Sequence, residues 1–230
     1  MAENAYYTLL TSLPHIDSLF NSRITPISRF QLDKRLSMLS TADQQRLVKI
    51  ESLLHWDQLD DEVEEKALIH QAERTRAELD SQALNDLIDW RLDMRTIVAA
   101  LRRKHAGQPA PTEPKWSYGS RYEYIRNHWG SATLGLGSAF PWIPKVVECL
   151  RNGECIALEK ILLQAVWDHL SHMAMKHSHD FEAVVIYVLR WNLVARWTAY
   201  DTEKARVRFR SLVETSLGEF RDQLPTGPEA

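Results

Sequence analysis

Apolar residues along this chain recur mostly three and four positions apart, so most of it reads as a succession of amphipathic helices. The densest stretch is FEAVVIYVLRWNLVARWTAY, residues 181–200. Val184, Val185, Val188, Leu189 and Trp191 fall together on its helical wheel, and Ala195, Trp197 and Ala199 add apolar surface further on. Only Glu182, Arg190, Asn192 and Arg196 supply obvious solvent-facing atoms there. A helix apolar nearly all round is expected in the middle of a helical domain, with partners on several sides.

Taken in order, Tyr6 to Leu13 reads as a short extended or partly buried segment ended by Pro14. A first helix is expected over 28–39, with Phe30, Leu32, Leu36 and Leu39 apolar. Thr41 and Gln44 have the form of a capping box that opens a second helix over 42–56. Its stripe is Leu47, Ile50, Leu53 and Leu54. A long helical stretch follows from Asp61 to Ala106, and Ser81 is placed to cap a fresh start within it. Three prolines, Pro109, Pro111 and Pro114, then make residues 108–116 the clearest linker. They divide an N-terminal lobe (1–107) from a C-terminal lobe (117–230).

Beyond the linker the chain is aromatic and irregular, with a short helix expected over 121–128. Pro144 suits the first turn of the next helix, and Gly153 suits its left-handed stop. A helical hairpin is expected to close the chain. Its first arm is 155–176, with Leu158, Ile161, Leu162, Ala165 and Val166 as apolar face, and its turn is 177–180, where Ser178 or Asp180 can cap. The 181–200 helix follows, and a last helix runs from Asp201 to Leu224. The pattern as a whole predicts an all-α fold of about seven or eight helices in two packed lobes.

Composition narrows this little. With 44% hydrophobic and 26% charged residues, the 230-residue chain is an ordinary globular one. A net charge of −3 gives it no overall attraction to nucleic acid. Cys149 and Cys155 do not match zinc or redox spacing and read as free thiols. The first residues lack the pattern of a secretory signal. The longest apolar run, Ala183 to Leu189, is far short of the roughly 20 residues that span a bilayer. A cytoplasmic protein without direct membrane insertion is expected.

Candidate chemistry is sparse. His169 and His172 share a helical face near His177 and His179, which offers a metal-site reading beside that of ordinary core or helix-end histidines. The HExxH spacing of helical zinc sites is missing. Gly135-Leu136-Gly137-Ser138 lacks the context of a phosphate loop, and the acidic run 57–65 reads as a solvated helix start. Lys204, Arg206, Arg208 and Arg210 spread round their helix and make no nucleic-acid stripe. No nucleophile motif appears, so neither catalytic residue nor cofactor is expected. Two features remain as partner contacts. Arg102, Arg103 and Lys104 either complement the helix dipole or dock an acidic partner. Trp129, Phe140 and Trp142 form either a satellite core or a partner anchor.

Several stretches carry a resemblance as a set. They are YYTLLTSLPHI (6–16), WRLDMRTIVAALRRKHAG (90–107), LEKILLQAVWDHL (158–170) and the segment 179–214. Together they resemble an uncharacterised family associated with bacterial V-type ATPases. That family is similar in turn to the helical socket protein of V/A-type ATPases, the C-type component (d-type in eukaryotes). Residues 117–144 depart from it. The resemblance implies an all-α, non-enzymatic accessory or stalk-type component that contacts protein subunits of a membrane-associated ATPase. The socket protein has three similar helical modules, of which this length accommodates about two. The alternatives are a metal-dependent enzyme built on His169, His172, His177 and His179, and a helical adaptor unrelated to ATPases.

Overall fold

The computed structural model describes residues 2–22, 24–55, 65–113 and 116–200. The expected last helix from Asp201, its basic run and most of the acidic run lie outside these residues. Every regular element among the described residues is helical, and none is a strand. In chain order they are α1 (Ala2–Ser12), α2 (Arg29–Leu36), α3 (Thr41–Leu53), α4 (Glu65–Ala77), α5 (Gln82–His105), α6 (Tyr122–Asn127), α7 (Ile143–Asn152) and α8 (Cys155–Ala174). A ninth, α9, occupies 181–200.

The expected 61–106 stretch is two helices, broken where Ser81 caps α5 through its hydroxyl to Leu84 N at 3.3 Å. Glycine in the left-handed region ends both α5 and α7. Gly107 has φ 70° and Gly153 has φ 71°. At each, the amide beyond the glycine reaches back five residues, from Gln108 to Arg103 O (3.1 Å) and from Glu154 to Cys149 O (2.9 Å). These bonds satisfy carbonyls that the helix leaves open.

Two local expectations are corrected. Residues 6–12 are helical, not extended. Tyr and Thr favour strands in isolation, but Leu9 and Leu13, one turn apart, are buried in the core. Tyr6 adds a hydrogen bond to Asp43 Oδ2 at 2.8 Å. Phe30 is 78% exposed, because α2 turns Leu32 and Leu36 inward and leaves its first turn at the surface. The capping box belongs to Ser28 and Gln31, not Thr41 and Gln44. Ser40 caps α3 instead, and the Gln44 amide donates to Leu39 O at 2.8 Å.

The buried apolar residues form one connected cluster, from Leu9 to Trp197. Helix α9 runs through it, with Val184, Val185, Val188 and Val194 wholly inaccessible. Burying a side chain of this size contributes about 1.5–3 kcal/mol each. Polar bonds fix where α9 lies. The Tyr187 hydroxyl donates to Pro14 O (2.8 Å), Trp191 Nε1 to Ile27 O (3.0 Å), and Arg196 Nε to Glu159 Oε1 of α8 (2.9 Å). Around this axis α7 packs on α8 and α5, and α4 on α3 and α5.

Candidate functional site

The partner-contact residues divide by environment. Phe140 and Trp142 are buried, with ring centroids 5.8 Å apart in an edge-on pair, and Trp129 packs half-buried against the same core. Arg121 lies over the Phe140 ring, 5.0 Å from its centroid. Through these rings the irregular 128–142 segment packs onto the core. Of the basic residues, Lys104 Nζ donates to the carbonyls of Trp129 (2.6 Å) and Ser131, which ties the same segment to the end of α5. Arg103 Nε donates to Pro109 O at 3.2 Å. Arg102 and Arg103 keep exposed side chains.

A second clasp, which the residue pattern did not single out, docks the segment after the linker onto α5. Asp93, only 7% exposed, accepts from Ser120 N (3.2 Å) and Arg121 Nε (3.1 Å). Burial pushes its carboxyl above the ordinary range, against the opposing pull of Arg121. The backbone of Gly119, at φ 100°, comes so close that a Cβ there would lie 2.1 Å from Asp93 Oδ1. Beside it Thr96 and Ser117 share a hydrogen bond of 2.7 Å. In sequence Asp93 is one of three aspartates of α5, with Asp86 and Asp89, and its spacing alone does not set it apart.

The four histidines do not form one group. His169 stacks flat on Trp90, with centroids 3.9 Å apart and planes 5° from parallel. Burial there holds its pKa below the ordinary value, and His172 and Arg91 lower it further. His172 is exposed in the last turn of α8. The His179 ring lies 5.1 Å from that of Tyr7. Only His177 enters a polar cluster. Its Nδ1 is 2.7 Å from Asp180 Oδ2, and Asp180 Oδ1 accepts from Ala183 N at 2.9 Å to cap α9.

Two of the cavities lined by described residues open between the helices. The larger, about 390 Å³, lies among α3, α5, α8 and α9. Leu54, Leu87, Val166, Leu170 and Leu189 give it apolar walls. Its polar atoms bond to one another: Glu51 accepts from Arg29 Nη2 (3.0 Å), from Arg29 Nη1, and from Asn192 Nδ2 (2.9 Å). Burial favours the neutral Glu51 acid, but the hydrogen bonds from Arg29 and Asn192 and the Arg29 charge outweigh it and lower its pKa. Burial also pushes the Arg91 guanidinium down to about 10. The smaller cavity, about 260 Å³, is a groove between the end of α1 and the α8–α9 turn, lined by His15, His177, Tyr187 and Arg190 among others.

Every regular element among the described residues is helical and Phe140 and Trp142 lie buried in the core, so the fold is of the all-α class. The chain itself belongs to a family described as a protein of unknown function (DUF2764), whose model matches residues 75–217. No curated protein and no solved structure matches the chain. No helix among the described residues is long and apolar enough to cross a membrane.

Proposed function

We propose that this protein is a non-enzymatic helical component of a V-type ATPase, accessory or stalk-type, that acts through protein–protein contacts on the cytoplasmic side of the membrane. The observation that carries the reading is where the ATPase-like stretches lie. Residues 90–107, 158–170 and 179–200 belong to α5, α8 and α9, the helices around which the core is built. All three also fall inside the family match at 75–217, whereas the fourth stretch, 6–16, in and just after α1, lies outside it. The resemblance therefore concerns the structural axis of the molecule and not a peripheral insertion.

A spacer between moving parts needs a body that transmits force without yielding. Close-packed helices suit that role, because packed interiors are nearly incompressible. Contact with other subunits then falls to the outside: the Arg102 and Arg103 end of α5, and exposed apolar side chains such as Phe30 and Val48. Arginine and aromatic side chains such as Phe30 are enriched at protein interfaces. The test is affinity purification of the tagged chain from gently solubilised membranes. The expected result is co-recovery of ATPase subunits, reduced when Arg102 and Arg103 are both changed to Glu.

A further inference from the structure

We propose that His177, Asp180 and Glu182 form a binding site for a divalent first-row transition ion of the zinc type, at the turn between α8 and α9. Each offers one ligand atom, and these atoms all lie within 4.8 Å of one another. Among the described residues no other group of three or more histidine, cysteine or carboxylate side chains meets that spacing.

The local geometry is suited to the exchange of a proton for a metal. A zinc ion bound at about 2.0–2.2 Å to nitrogen and oxygen holds its donors about 3–3.5 Å apart. His177 Nδ1 and Asp180 Oδ2 already stand at 2.7 Å, joined by a hydrogen bond. On binding, the proton between them leaves Nδ1, the neutral imidazole keeping its one proton on Nε2, and both atoms turn their lone pairs to the ion. Asp180 can do this without leaving its post, because its other oxygen, Oδ1, is the one that caps α9. Glu182 stands in the first turn of α9 with its ligand atom within 4.8 Å of the other two, and rotation of its side chain closes the set. The turn is braced from the other side by α1, where the Tyr6 ring lies 6.4 Å from Phe181 and Tyr7 lies 5.1 Å from His179.

The donor chemistry selects the class of ion. One imidazole with two carboxylates suits zinc and its neighbours, whereas magnesium and calcium prefer all-oxygen sets. Access is open, since the side chains of His177 and Asp180 are 20% and 42% exposed. Three protein ligands leave a position for water. The ion would tie the residues before α9 to its first turn and so stiffen the α8–α9 hairpin. This inference is independent of the ATPase reading.

The experiment is a titration of the chelator-treated full chain with zinc, cobalt(II) and magnesium, read by calorimetry, visible absorption and thermal melting. One zinc per chain is expected, with cobalt d–d bands of a low-coordinate site and a raised Tm, since a ligand of the folded state stabilises it. Magnesium should do none of this. His177→Ala and Glu182→Gln should each weaken zinc binding at least about tenfold. Glu182→Gln leaves the Asp180 cap in place, so its circular dichroism should match the parent. His172→Ala should bind normally. Absence of stoichiometric zinc, an equal response to magnesium, or binding unchanged in both His177→Ala and Glu182→Gln would overturn the proposal.

Discussion

Glu51 joins three parts of the chain through one carboxylate: Arg29 at the start of α2, its own helix α3, and Asn192 of α9. Its pKa is depressed in the folded state. A depressed carboxylate contributes stability that is present above its unfolded value and is lost as pH falls through the folded one. Glu51→Gln should therefore destabilise the protein by about 1–3 kcal/mol at neutral pH. The gap between the two proteins should shrink as the buffer is taken below the ordinary glutamate range. Urea unfolding across that range checks both the size and the slope. A second residue-scale contrast uses two glycines. Gly119→Ala forces a Cβ onto Asp93 at an unfavourable φ and should cost about 1–3 kcal/mol in strain alone. Gly130→Ala meets nothing within 4 Å and should stay within about 0.5 kcal/mol of the parent. Equal melting temperatures for the two variants would contradict the clasp.

Among the elements, those with strong punctuation are the most legible in the sequence. Ser81, Pro144 and Gly153 each act where their backbone chemistry demands: a cap, a first-turn proline and a left-handed stop. Ser81→Ala should accordingly lower stability by about 1 kcal/mol, measured by the shift in urea midpoint. Helix α1 is hidden by its aromatic and Thr-rich composition, which favours strands, and only tertiary contact with Asp43 and Phe181 decides otherwise. The cap of α3 lies one residue from the expected place, at Ser40 and not Thr41, since neighbouring hydroxyls offer the same local signature. The contact candidates show a deeper limit. Trp129, Phe140 and Trp142 look alike in sequence whether they face a partner or the core. In the fold the last two turn inward and Trp129 stays half-buried. The metal-ligand candidates pose the same difficulty. Spacing suggests His169 and His172, while the fold stacks His169 on Trp90 and brings His177 to two carboxylates.

At the scale of the whole molecule, the apolar character of 181–200 carries the most information. It predicts an enclosed helix, and α9 lies in a core that also takes in α1, α3, α5 and α8. What such a body does for its partners depends on surfaces, where sequence constrains least. The most direct measurement of the ATPase reading is affinity purification of the tagged full-length protein from detergent-solubilised membranes, with quantitative mass spectrometry of what accompanies it. The account predicts catalytic, stalk and proteolipid subunits of a V-type ATPase in fixed ratio to the bait. Recovery of the protein alone, or with ATPase subunits at background level, would contradict it.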